Sequence, residues 1–190
     1  MDMKAPIHLE DAGLELPAHR ITTSCEWEDV ALDQSIRQQA GDIASRLKER
    51  HPSGFRALFS GPPGTGKTLT ACLLGKDVGL PVYRIDLSQV VSQWSGETEK
   101  NLNSLFERAQ HEDWILFFDE ADALFGKRTE TRNANDRAAN QQIAYLLQRM
   151  EDFPGIVILA TNLRSNLDEA FARRLQSIIQ FHLPDAERQG

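Results

Sequence analysis

Apolar positions along the chain follow two alternating rhythms. Ile36, Ala40, Ile43 and Leu47 recur at the spacing of one helix face, and the stripe stops before His51-Pro52-Ser53-Gly54. RALFSG, residues 56–61, is a short apolar run meeting a glycine-rich turn, and Leu69, Leu73 and Leu74 predict a helix behind it. PVYRIDL, residues 81–87, reads as a second strand, and Leu102, Leu105, Phe106 and Ala109 return to helical spacing. WILFFDEAD, residues 114–122, begins as a continuous apolar run, the mark of a strand buried on both faces. Ile143, Leu146, Leu147 and Met150 form another helical stripe, GIVILATN, residues 155–162, is a further buried strand, and a short helix near 168–175 leads into SIIQFHL, residues 177–183. Strands alternating with helices predict an α/β domain with a mainly parallel, doubly wound sheet. Ligands of such sheets sit at the carboxyl ends of the strands, so the chemistry is sought where each strand stops.

The totals narrow the setting. A chain of 190 residues suggests one domain, with residues 1–20 as a loosely ordered lead-in marked by Pro6, Gly13 and Pro17, and 21–190 as the core. The 41% hydrophobic and 26% charged shares are ordinary for a soluble globular protein. A net charge of −7 argues against a dedicated nucleic-acid binder. Cys25 and Cys72 lie far apart without metal-ligand spacing and read as reduced thiols, which predicts a cytoplasmic setting. No apolar run approaches the roughly 20 residues of a membrane span.

Gly61-Pro62-Pro63-Gly64-Thr65-Gly66-Lys67-Thr68 fits G-x-x-x-x-G-K-[ST] between a predicted strand and a predicted helix, the context that pattern requires. Its glycines let backbone N–H groups wrap a phosphate at a helix N-terminus. Lys67 would neutralise the β- and γ-phosphates of a nucleotide, the Thr68 hydroxyl would ligate Mg²⁺, and Leu69 completes the binding segment. Asp119 and Glu120 end the apolar strand ILFF. Beside a phosphate loop, the first carboxylate can hold Mg²⁺ and the second can polarise an attacking water. Asp119 is therefore assigned to the metal, Glu120 to the base, and Asp122 to a structural role.

GPPGTGKT, FFDEAD, ATN (residues 160–162) and LDEAFARRL (residues 167–175), in that order, resemble the AAA+ ATPases, in particular the AAA subgroup of protein remodellers, over residues 20–190. The resemblance implies a five-stranded parallel sheet in which the strand ending at Asn162 lies between the other two motif strands, with Asn162 sensing the γ-phosphate. It implies ATP or ADP and Mg²⁺ as ligands and a homo-oligomeric ring of about six subunits. Arg173 and Arg174 match the place of arginine fingers that reach a neighbouring subunit's nucleotide; relatives carry Pro-Gly between the two arginines, so which one acts is left open. Asp29 and Val30 stand where relatives contact adenine, with Trp27 as a packing anchor. The family follows this core with a helical lid, and this chain stops at PDAERQG; the expectation is a core that binds nucleotide, hydrolyses it weakly and assembles weakly alone.

Gln93-Trp94-Ser95-Gly96 places an indole among polar residues. Relatives put an aromatic-aliphatic-glycine pore loop here, so the resemblance implies that Trp94, Ser95 and Gly96 grip a polypeptide client; the other reading is Trp94 folded back onto its own domain. The charged segment 126–136 is either a solvated connector or a second pore loop carrying Lys127 and Arg128. DEADALFGKRTE and ATNLRSNLDEAF further resemble bacterial stand-alone AAA+ proteins, some associated with contractile injection systems, which implies a component of such a system as a client. A nucleic-acid motor and a nucleotide-controlled scaffold are the alternatives.

Overall fold

The computed structural model describes residues 7–49, 54–125, 134–162 and 169–183. The loop predicted to carry Lys127 and Arg128 lies outside them. Seven strands form one mixed sheet: β1 (His8–Asp11), β2 (Ala18–Thr22), β3 (Phe55–Ser60), β4 (Val82–Asp86), β5 (Ile115–Asp119), β6 (Ile156–Thr161) and β7 (Ser177–Gln180), in the order β1-β2-β4-β5-β6-β3-β7. The last five of that order are parallel, and β6 lies between β5 and β3 as the family resemblance implies.

Helices cover both faces. On one lie α1 (Gln34–Glu49) and α2 (Lys67–Val78); on the other lie α3 (Leu87–Ser92), α4 (Thr98–Glu112), α5 (Asp122–Phe125), α6 (Ala134–Asp152) and α7 (Glu169–Ala172). The period-2 geometry of a strand divides β5 between them. Ile115 and Phe117 join the α1–α2 core, whereas Leu116 and Phe118 join the α4–α6 core. Each is buried, and removing such a side chain from water is worth about 1.5–3 kcal/mol. That double burial is why the strand reads as an unbroken apolar run.

The N-terminal expectation needs correction. From His8 onward the supposed lead-in contains β1 and β2, an antiparallel pair that extends the parallel sheet from its β4 edge. Ala18 and Ile21 are buried, and Ala12, Leu14 and Leu16 pack against the α4–α6 core. Strands of four and five residues have no period long enough to recognise, and β1 is exposed throughout. β2 is ordered by pairing with β4, more than sixty positions away, and β1 by pairing with β2.

At the amino end of β3, Arg56 ties down the last turn of α6. Its Nε donates to Met150 O at 2.9 Å, and Nη2 donates to Phe153 O at 3.2 Å and to Glu151 O. The orphan carbonyls of a helix C-terminus are thus met by one planar guanidinium.

Candidate functional site

β3 ends at Ser60, and Gly61 through Gly66 turn the chain into α2, whose first residue is Lys67. Gly61 donates its amide to Thr161 O at 3.1 Å, and an added Cβ there would sit 2.3 Å from Phe181 O. The loop is therefore seated between the ends of β6 and β7 with no room for a side chain. Thr65 Oγ1 donates to Pro62 O at 2.7 Å and closes the turn, while Pro62, Pro63 and Gly64 are exposed at its crest. Thr68 and Leu69 are half-buried in the first turn of α2.

Lys67 is buried, and its ammonium lies between the loop and β6. Nζ donates to Gly61 O, to Pro62 O at 2.9 Å and to Asn162 Oδ1 at 3.0 Å. Burial lowers its pKa, opposed by the nearby Asp119, Asp122 and Glu120 carboxylates. Asn162 is itself positioned: its amide donates to Asp122 Oδ1 at 2.9 Å, and the Thr161 hydroxyl donates to the same oxygen. Asp122 thus has the structural role expected of it, linking the end of β6 to the segment that follows β5.

Asp119 closes β5. Its Oδ1 accepts the Glu120 amide at 2.8 Å, and its Oδ2 accepts from Arg84 of β4. Glu120 takes a left-handed backbone, φ 57°, which a non-glycine residue adopts at some cost. Its carboxyl pKa is raised, first by burial, then by Asp119, Asp86 and Asp122, with Arg84 opposing. A carboxyl group held above its ordinary range near Lys67 is one whose proton can be exchanged at the end of β5.

Lys67, Asn162, Asp119 and Glu120 therefore meet at the carboxyl ends of neighbouring strands, with the β3–α2 loop beside them. Val30 and Leu32 approach from the N-terminal side: Leu32 Cδ2 and Val30 Cγ1 lie 3.2 and 4.0 Å from where a Gly66 Cβ would stand. Asp29 is exposed, and its carboxylate accepts the Glu26 amide at 2.8 Å within a short turn. Trp27 packs on the α1–α2 core and donates Nε1 to Asp77 at 2.8 Å. The oxygen donors Thr68 and Asp119 suit a hard, octahedral cation such as Mg²⁺.

Two predicted groups lie elsewhere. Arg173 and Arg174 follow α7. Arg174 forms an ion pair with Glu151 at the end of α6, where Arg56 also binds, so it lies toward the amino end of β3. Arg173 is exposed, and its side chain has no ion-pair partner among the described residues. Trp94 is half-buried against the α4–α6 core, with its ring edge-on to Tyr145 at a centroid distance of 6.2 Å. Ser95 and Gly96 are exposed. The Ser95 amide donates to Thr98 Oγ1 at 2.9 Å and its carbonyl accepts from Thr98 N at 3.1 Å, so this serine forms the entry to α4.

Arg84, Tyr145 and Glu151 carry contacts to predicted site residues and were not singled out by sequence. Each lies in a regular element whose periodicity says only that it is there. Cys25 and Cys72 are free thiols, and burial pushes Cys72 up to about 12. No helix among the described residues is long and apolar enough to cross a membrane.

The model of the ATPase family associated with various cellular activities (AAA) matches residues 57–183. The chain is 38% identical over 156 residues to the uncharacterized AAA family ATPase y4kL of Sinorhizobium fredii, covering 82% of this chain and 44% of that protein. It is 35% identical over 173 residues to the ATP-dependent zinc metalloprotease FtsH of Lachnoclostridium phytofermentans, covering 83% and 30%. The chain thus spans less than half the length of these relatives. Among solved structures, the FIGL-1 AAA domain in complex with ADP superposes with a TM-score of 0.70 at 26% identity, over 93% of this chain and 60% of that one.

Proposed function

The chain belongs to the AAA family of ATPases, and from that membership we propose that it binds ATP with Mg²⁺ at the β3–α2 loop and hydrolyses it. Working in a ring of copies, six in this reading, it uses the cycle to remodel a protein client. The observation that carries the proposal is the convergence of Lys67, Asn162, Asp119 and Glu120 beside the glycine-rich β3–α2 turn.

In this mechanism, backbone amides of residues 61–69 bind the phosphate chain and Lys67 exchanges its loop carbonyls for phosphate oxygens. Thr68 and Asp119 would hold Mg²⁺, which when bound would neutralise charge on the phosphates. Glu120 accepts a proton from the attacking water, and Asn162 orients that water against the γ-phosphate. Val30, which lies beside Gly66, covers the adenine together with its neighbour Asp29. Arg173, which has no ion-pair partner among the described residues, reaches the nucleotide of the adjoining subunit, while Arg174 holds the segment to Glu151.

Trp94, with Ser95 and Gly96, faces the central channel as the polypeptide grip, and Tyr145 sets the resting position of the indole. A protein client is supported by the FtsH relative, whose name makes it an ATP-dependent protease. A component of a contractile injection system in the cytoplasm is the client class suggested by the wording of DEADALFGKRTE.

The test is the ATPase rate of the longest natural form of the protein with unfolded polypeptide, with single-stranded DNA, and with neither. Stimulation by polypeptide is expected. Stimulation by DNA alone would replace the remodeller with a nucleic-acid motor.

A further inference from the structure

Arg84 sits in the middle of β4, where a sheet strand ordinarily carries an apolar or β-branched residue. Its Nε and Nη2 each lie 2.8 Å from Oδ2 of Asp119 at the end of β5. The register sets Arg84 opposite Phe117 and Asp86 opposite Asp119, so the contact runs diagonally up the sheet, two residues along, within reach of a long side chain. Both groups are largely withdrawn from solvent, the side chains 26% and 17% exposed. Asp119 Oδ1 is meanwhile bound by the Glu120 amide, so both of its oxygens have partners from within the subunit.

We propose that Arg84 is an internal stand-in for the metal: it neutralises and orients Asp119 while the site is empty, and it competes with Mg²⁺ for that carboxylate. The inference rests on the assignment of Asp119 to Mg²⁺ made above. Asp119, Asp86 and Asp122 each repel Glu120 at one end of the sheet, and Arg84 offsets that repulsion. Lys67 is already engaged with two loop carbonyls and Asn162, whereas Arg84 touches the acid itself. A divalent ion arriving at Asp119 meets a fixed positive charge on the same carboxylate in a setting screened less than water screens. Arg84 is a positioning residue in this scheme, and it sets the Mg²⁺ concentration at which nucleotide is retained.

The experiment titrates MgCl₂ into the 190-residue chain with a fluorescent ADP derivative and reads the metal concentration at half-maximal binding. Arg84→Gln is expected to lower that midpoint about tenfold, equivalent to ~1.4 kcal/mol. Arg84→Lys keeps the charge and is expected to stay within about twofold of the unmodified chain. Thermal melts without metal establish that each variant is folded. If the glutamine chain melts too early to titrate, Arg84→Met, which keeps an unbranched apolar stem, is read in its place. A glutamine midpoint that is unchanged or raised overturns the competition, as does a lysine midpoint that falls as far as that of glutamine. Binding by the unmodified chain that ignores Mg²⁺ would instead remove the metal assignment on which the inference stands.

Discussion

Lys67 Nζ donates to Asn162 Oδ1 at 3.0 Å, joining the first residue of α2 to the end of β6 across the mouth of β3. The lysine also satisfies two carbonyls of its own loop, so the group proposed to bind phosphate also holds the loop in shape. Lys67→Ala is expected to weaken nucleotide binding on the order of 10- to 100-fold, the worth of a charge-assisted hydrogen bond. Fluorescent-nucleotide titration measures it, and an unchanged dissociation constant would remove the lysine from the site.

Glu120 should govern the pH response. Its folded-state pKa is raised above the ordinary 4.5, so the native state holds a proton that the unfolded chain has released. Its contribution to stability is therefore full below 4.5 and is lost as pH rises through the folded value. Glu120→Gln removes the charged form, so that chain is expected to be the more stable at pH 7, with the advantage shrinking toward pH 4. Urea denaturation at both values checks this. The same substitution in the longest natural form should preserve ATP binding and abolish hydrolysis. Unsubstituted turnover should fall on acidification with a midpoint above 4.5, because the base must be ionised.

The adjacent arginines are expected to separate by assay. Arg174→Ala loses the ion pair with Glu151 and should cost no more than about 1 kcal/mol, because half of its side chain is exposed. Arg173→Ala should leave the melting temperature in place. In the assembled ring each subunit of an Arg173→Ala protein keeps its own Glu120 but lacks a finger from its neighbour. Mixing it with the Glu120→Gln protein should restore turnover, since one supplies the base and the other the arginine. Mixtures no faster than their components would argue against action between subunits.

Trp94→Ala loses an edge-on aromatic pair worth about 0.5–1.5 kcal/mol beyond its buried area. Trp94→Phe should recover part of that loss in a denaturant titration. In the ring, the alanine protein is expected to lose polypeptide-stimulated turnover and the phenylalanine protein to retain much of it. Full client processing by the alanine protein would leave the indole with its packing role alone.

Gly61→Ala should destabilise the chain by about 1–3 kcal/mol, because the methyl group meets a backbone carbonyl that is itself fixed in the sheet. Phe181 N donates to Ser60 O at 2.7 Å, so relieving the clash requires parting β7 from β3. A melting temperature equal to that of the unmodified chain would show that the strand end yields.

The sheet and the site differed in how plainly the sequence announced them. Buried parallel strands such as 115–119 advertise themselves through unbroken apolar runs, and the order that sets β6 between β5 and β3 is the one the family resemblance implied. β1 and β2 carried no such signal, because β2 is ordered by its pairing with β4 and β1 by its pairing with β2 rather than by a period of their own. α3 follows β4 without a break, capped by Asp86 accepting from Gln89 N, and its six residues are too few for an apolar period to announce it. Arg84, Tyr145 and Glu151 were invisible for a further reason: each acts through a residue 35, 51 or 23 positions distant, and spacing in one dimension carries no trace of that partner.

Arg56 gives the molecule an unexpected kind of vulnerability. It opens the strand whose far end feeds the phosphate loop, closes the helix that carries Tyr145, and binds the carbonyl of the residue whose carboxylate holds Arg174. In a saturation mutagenesis screen scored on turnover, position 56 should therefore cluster with the loop glycines, although a whole strand lies between them. A map of intolerance drawn from such data would extend the apparent active site to the opposite pole of the sheet.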